Sequence, residues 1–290
     1  MSDVSHSQAS CVFKEAWRKV KGMKRHFWAS VMLFATIGLG GFCVLGIILI
    51  AGQVVYMPNL LQLFHGSSMF YTDPTFFVPA GMLVCVLVYH FAQALFEMFV
   101  LLPMRMGVRL IPLRRVADKP VHALFVFKYF TWKYIWRFIV LHVLIVLVVG
   151  IPTAVGVLLF CLPTTYHLGT ALTVGSYIMG VLLYLFALYL LVSYVFVNCL
   201  VIDRDIHPWK AMGLSRNAVG KKWFCIFGTL IYLGILLFAA TLLLLVGLIW
   251  VVPFTQNVIA ILYRNMLGIE GKDPVSLKEA EIAASMKQEQ

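Results

Sequence analysis

An all-α polytopic membrane protein, with six transmembrane helices arranged as three hairpins, is predicted by three observations. The chain is 62% hydrophobic and 12% charged with a mean hydropathy of +0.93, whereas soluble domains carry about 25% charged residues. Its apolar residues run continuously in blocks that can cross a hydrocarbon core of about 30 Å, which takes about 20 helical residues, and do not alternate as in a transmembrane barrel. All 23 Lys and Arg fall in four stretches, residues 14–25, 105–137, 204–222 and 264 to the end. That pattern, in turn, sets the order of the elements.

Residues 1–11 are polar and predicted to be disordered, and one membrane domain is expected over 12–268. Phe13, Ala16, Trp17, Val20 and Phe27 recur on one helical face and Lys14, Arg18, Lys21 and Arg25 on another, the pattern of a basic interfacial helix. The first span is predicted over about 28–56, where Gly38, Gly40, Gly41 and Gly46 permit close helix contact. A polar loop over 58–75 follows, then a second span over about 76–102 that is expected to end at Pro103.

A second interfacial segment, Pro120–Arg137, contains Phe125, Phe127, Tyr129, Phe130, Trp132, Tyr134 and Trp136. The third span, 137–161, should kink at Gly150-Ile-Pro152. A tight turn at Pro163–Tyr166 leads to the fourth span, 168–202. The third basic segment runs from Asp203 to Trp223. With Pro208 as its first helical residue, Trp209, Met212, Val219 and Trp223 share a stripe that also takes in Arg216, while Lys210, Asn217 and Lys221 lie off it. The apolar block 223–266 is about twice a spanning length, so it divides into spans at 223–244 and 247–266, with Trp250 and Pro253 opening the sixth. Residues 269–290 form a charged tail, in which Ser276-x-x-Glu279 reads as a capping box.

With six spans the four basic stretches fall on one side, and the opposite loops carry Asp73 as their only charged residue. The positive-inside rule then puts both termini in the cytoplasm. Six of the seven Trp lie at or near the same face, as in an aromatic belt.

Two groups of residues suggest chemistry. His90, Gln93 and Glu97 stand at i, i+3 and i+7 on one face of the second span. An ionisable group inside a span costs about 2.5 kcal/mol or more unless it is paired, so the stripe is expected to face the bundle interior. Possible partners are His142 in the third span and Asn257, Tyr263 and Arg264 in the sixth. Two readings stand side by side: helix locking, with Glu97 paired to Arg264 or Arg105, and a transport or proton-relay stripe of His90, Gln93, Glu97, His142 and Arg264. The second group, Arg105, Arg109, Arg114, Arg115, Lys221 and Lys222, can hold anionic headgroups at about 1 kcal/mol per cation, or can simply set topology.

Other classes find little support. No Gly-x-Ser-x-Gly, His-Glu-x-x-His or phosphate-cradling glycine loop occurs, nor two carboxylates within one span, so no catalytic residues and no enzyme activity are expected. The six cysteines lack a Cys-x-x-Cys pair, so neither a disulfide framework nor a metal site is expected, and no cofactor is implied. The set His65, Met69 and Asp73 is too sparse for a metal. A net charge of +11 suggests nucleic acid in a soluble protein, but here the cations are interleaved with spans. Residues 1–27 are too charged for a signal peptide.

Leu200-Val-Ile-Asp203, Pro208-x-x-Ala211, Ser215, Lys222-Trp223, and Pro253 leading to Tyr263-Arg264 together resemble a clan of bacterial integral membrane proteins. The clan includes the YciC-like proteins and the membrane domain fused to glycerophosphoryl diester phosphodiesterases. The resemblance covers about residues 200–268, and the first 200 residues match only in hairpin organisation. It implies a six-helix bacterial inner-membrane protein; it brings no catalytic residues, and no phosphodiesterase domain is present. Aligning Ala123 with Ala211 sets Lys133 on Lys221, and aligning Ala16 with Ala211 sets Trp28 on Trp223, as a triplicated unit would.

The expectation is therefore a non-enzymatic inner-membrane protein that binds or organises anionic phospholipid, in envelope homeostasis or as a subunit of an envelope complex. The alternative is a small transporter or permease component that uses the polar stripe.

Overall fold

The computed structural model describes residues 2–65, 80–166, 169–242 and 246–279, and among these every regular element is helical. In chain order they are α1 (Ser2–Val20), α2 (Lys24–His65), α3 (Ala80–Phe96), α4 (Leu102–Val116), α5 (Trp132–Ile145), α6 (Ile151–Tyr166), α7 (Thr170–Ser193), α8 (Val197–Arg204), α9 (Pro208–Gly220), α10 (Trp223–Leu242) and α11 (Leu248–Leu267). Met69, Asp73 and the predicted break at 244 lie outside the described residues. Five stretches are long and apolar enough to cross a membrane: Lys24–Gly52, Leu83–Val116, Trp132–Pro163, Thr170–Arg204 and Trp223–Leu242. Helix α11 is not among them, because Gln256, Asn257, Arg264 and Asn265 interrupt its apolar run.

Prolines shape two of these long helices in the same way. A π-helical turn at Glu97–Leu101 precedes Pro103, and another at Val146–Gly150 precedes Pro152. A proline inside a helix lacks an N–H and its ring crowds the carbonyl one turn back. The wider π turn relieves that crowding without ending the helix. The second span therefore does not stop at Pro103 as the sequence predicts but continues to Val116. At Gly150–Pro152 the irregularity is where the sequence places it.

The buried core sits at the basic end of the helices. Eleven of the 15 residues of α4 are buried, packed among α1, α8, α11 and the 3₁₀ turn Ala123–Phe127. Away from this core, α2, α3, α6 and α7 expose Ile47, Ile48, Val84, Leu87, Leu158 and Leu182, surfaces of the kind that acyl chains cover. Close contacts demand glycine at two positions. A Cβ on Gly41 would lie 2.1 Å from the Phe96 ring, and one on Gly107 would lie 2.5 Å from the Val126 Cα.

The basic segments pack differently from their sequence pattern. Part of the apolar face of α1 is covered by protein: Ala16 and Val20 are buried, α1 packs on α11, and Phe13 and Trp17 contact Phe254, while Trp17 stays 53% exposed. In α9 the buried stripe is Pro208, Ala211, Met212, Ser215 and Val219, and Trp209 is 67% exposed. Small Ala211 and Ser215 let α9 approach the end of α7, where the Ser215 hydroxyl donates to the Ser193 carbonyl at 2.8 Å. Tight backbone approach thus outweighs burial of the larger Trp209 ring.

Two left-handed aspartates end helices and tie them to other elements. Asp118 (φ 56°) accepts from the Lys19 ammonium at 2.7 Å. Asp205 (φ 53°), closing α8, accepts from Lys133 at 2.7 Å and from Arg137.

Candidate functional site

Helices α2, α4 and α11 enclose a cleft of about 340 Å³, lined by Phe27, Val31 and Phe34 of α2, Arg105, Val108 and Arg109 of α4, and Gln256 of α11. Arg105 and Arg109 share this wall because they stand four residues apart on one helix face. Phe27, Val31 and Phe34 recur at the i, i+4 and i+7 spacing and supply the apolar wall. The cleft therefore joins two guanidinium groups and an amide to a run of apolar side chains.

The two arginines are not equivalent. Arg105 donates to Glu97 Oε1 at 3.2 Å, a pair whose side chains are 40% and 47% exposed. Arg109 makes no ion pair among the described residues, and the ionisable groups facing it are Cys199 and Arg105. Arg109 is half-buried, and a partly desolvated guanidinium without a counter-charge is unfavourable, so this position favours an anion.

A second cleft, of about 220 Å³, lies between the α3–α4 stretch and α5 and is lined by Ala94, Glu97, Met98, Leu102 and His142. Glu97 opens one π turn, and His142 stands four residues before the other. The structure thus brings Glu97 and His142 to one cavity. His90 is elsewhere, its Nδ1 2.8 Å from the Val86 carbonyl oxygen. Gln93 is half-buried on α3. Arg264 does not reach this cleft; its two terminal nitrogens donate to both Glu15 oxygens at 2.8 Å. Asn257 donates to the Ala16 carbonyl at 3.3 Å, and Tyr263 to Asp203. Of the expected partners, Arg105 pairs with Glu97 and His142 shares its cavity, while those on α11 serve α1 and α8.

The remaining cations of the predicted headgroup set divide between protein and solvent. Arg114 is 2% exposed, and its donors go to the Pro120 carbonyl (3.1 Å), Asp273 (3.4 Å), Ser276 (3.1 Å) and Glu279 (2.6 Å). Arg115 donates to the carbonyls of Lys19 at 3.2 Å and Lys21 at 2.7 Å. Lys221 and Lys222 are exposed and make no ion pair among the described residues, as is also true of Lys14, Arg18, Lys21, Arg25, Lys210 and Arg216. Each acidic side chain from Glu15 to Glu279 that the structure describes is hydrogen-bonded or ion-paired. These surface cations and Arg109 are among the contributors to the net positive charge.

Two features escaped the sequence reading. One is Gln256, whose signal was the polar Gln256-Asn257 pair inside an apolar block. The other is the buried clamp on Asp203, which accepts from Tyr263 Oη (2.8 Å) and from the backbone N–H groups of Glu270 (2.9 Å) and Gly271 (2.7 Å). Of the residues that carry the sequence resemblance, Leu200, Asp203, Ala211, Ser215 and Tyr263 are buried, Trp223 and Arg264 are half-buried and Lys222 is exposed. No family model, curated protein or solved structure matches this chain.

Proposed function

We propose that this is a non-enzymatic protein of the bacterial inner membrane that binds anionic phospholipid in the cleft between α2, α4 and α11, serving envelope homeostasis or an envelope complex. The observation that carries the reading is Arg109, a cation inside an apolar-walled cleft with no protein anion among the described residues. A phosphodiester would take the charge of Arg109 and share Arg105 and Gln256. An acyl chain would then follow Phe27, Val31 and Phe34 toward the exposed faces of the helices. Lys221 and Lys222 add surface charge toward an anionic leaflet. Arg114 and Arg115 act through protein contacts. The distribution of Lys and Arg supports cytoplasmic placement of both termini, with six crossings if α11 joins the five apolar helices.

The test is native mass spectrometry of the detergent-purified protein, with extraction and identification of bound lipid. A stoichiometric anionic lipid, retained by the parent and lost in Arg109→Gln, is expected. A lipid-free parent, or equal retention in Arg109→Gln, overturns the reading.

A transport function is the second reading, favoured by the single cavity that Glu97 and His142 share between two π turns, which recur at functional sites. On this reading Glu97→Gln abolishes flux in proteoliposomes while leaving the unfolding temperature near that of the parent. Unchanged flux would exclude it.

A further inference from the structure

The six-span arrangement requires the start of α11 to lie on the opposite face from the start of α2, but the contacts put the two side by side. Trp28 Nε1 donates to the Ile249 carbonyl at 2.9 Å, and the Lys24 ammonium stands 3.9 Å over the Trp250 ring. Lys24 belongs to the first basic stretch. At its other end α11 meets α1, where Arg264 holds Glu15. A 20-residue helix is about 30 Å long, the whole thickness of a hydrocarbon core. Both ends of α11 nevertheless touch elements of the basic end, and its middle crosses α4, with Gln256 facing Arg105 and Arg109.

The same holds along α10. It starts directly after Lys221 and Lys222, and its Trp223 donates to the Tyr189 carbonyl at 3.4 Å. Midway, Tyr232 packs on Phe13 of α1 with ring centroids 4.9 Å apart. Near its end a Cβ on Gly247 would lie 3.1 Å from the Ala240 Cα, so α10 turns back beside the start of α11. Ile226, Leu233 and Ala240 form its buried face. Phe224, Ile231, Ile235, Phe238 and Leu242 form an exposed apolar stripe on the opposite side.

We propose that α10 and α11 form a hairpin that stays in the leaflet on the basic side, with the Phe224, Ile231, Ile235, Phe238 and Leu242 face of α10 resting in that leaflet's acyl boundary. The chain then crosses four times, at Lys24–Gly52, Leu83–Val116, Trp132–Pro163 and Thr170–Arg204, and both termini share a face, as in the six-span scheme. The arrangement brings Trp250 to the basic side, so that all seven Trp lie at one interface, where indole rings are favoured. It also removes the need to hold the half-buried Gln256 and the exposed Asn265 at spanning depth. The placement does not depend on what the α2–α4–α11 cleft binds.

The test is side-specific labelling of the full chain with its six cysteines replaced and Val246→Cys introduced in the turn between α10 and α11. A membrane-impermeant maleimide should react at position 246 in inside-out vesicles, as it does with a Lys221→Cys reference, and should leave it unlabelled in intact spheroplasts. Labelling in spheroplasts, together with a Gly169→Cys reference, overturns the proposal. If lipid shields the thiol in both preparations, alkaline phosphatase inserted at position 246 of the full chain decides: an inactive insert supports the proposal, and an active, exported insert overturns it.

Discussion

The Tyr263 hydroxyl donates to Asp203 Oδ2 at 2.8 Å, joining α11 to the end of α8 across 60 residues of chain. The same carboxylate receives two backbone N–H groups of the tail, at Glu270 and Gly271, and the Asp203 carbonyl accepts from the Lys272 N–H at 2.8 Å. One side chain thus fixes α8, α11 and the tail together.

Removing the hydroxyl alone leaves the Asp203 carboxylate two donors. A hydrogen bond to a charged group contributes about 1.5–3 kcal/mol, so Tyr263→Phe should lower stability by about that amount and Asp203→Ala by more. Thermal unfolding in detergent measures both. Equal transition temperatures for Tyr263→Phe and the parent would refute the clamp.

Arg114 and Asp273 form a pair whose side chains are 1% and 5% exposed. Breaking such a pair from one side costs about 3–5 kcal/mol, because a buried charge is left without compensation. Arg114→Met should therefore be severely destabilised, and Arg114→Met with Asp273→Asn should recover part of the loss. Arg114→Lys should not restore stability, since a single ammonium cannot serve Pro120, Asp273, Ser276 and Glu279 together. The double-mutant cycle read by unfolding decides whether the two residues are coupled.

Gly107 and Gly40 offer a paired comparison. A Cβ at Gly107 would lie 2.5–2.6 Å from the backbone of Phe125 and Val126, whereas one at Gly40 meets nothing within 4 Å. Backbone cannot yield as a flexible side chain does, so Gly107→Ala should lose about 1–3 kcal/mol, as overpacked sites do. Gly40→Ala should unfold with the parent. Equal stability of the two variants would count against the packing of α4 on the 3₁₀ turn.

Acid should release α1 from α11. The hydrogen bond from Arg264 holds the Glu15 carboxyl below its usual range, against an opposing effect of burial. A carboxyl with a lowered folded-state pKa contributes stability that is complete above its unfolded value, about 4.3, and is lost as pH falls through the folded value. The parent should lose stability faster than Glu15→Gln over that acid window, and the two curves should run parallel above about pH 6. Parallel curves throughout would show that the pair contributes nothing.

The class of the protein was legible because lipid and water impose coarse demands. Continuous apolar runs mark the five candidate spanning helices, and the clustering of Lys and Arg identifies a basic end. Glu97 was legible as a residue that needs a partner, and Arg105 was one of the partners named. Arg109 was legible only as one cation among several, because nothing in its neighbours in sequence distinguishes it from Arg114. Pro103 misled because its effect depends on the turn before it. A proline that follows a π turn lets the helix continue into the core.

Composition and charge order by themselves determined that this chain is helical, apolar in long blocks and basic at one end, since these follow from transfer free energies summed along the sequence. Which cation lines the cleft, which is partnered and which is free was decided only by tertiary structure. Arg114 meets Asp273 from 159 residues away and Trp28 meets Ile249 from 221 residues away. Such contacts depend on where helices cross, and crossing is set by close packing at positions such as Gly107, Ala211 and Ser215, which no local pattern of hydropathy records.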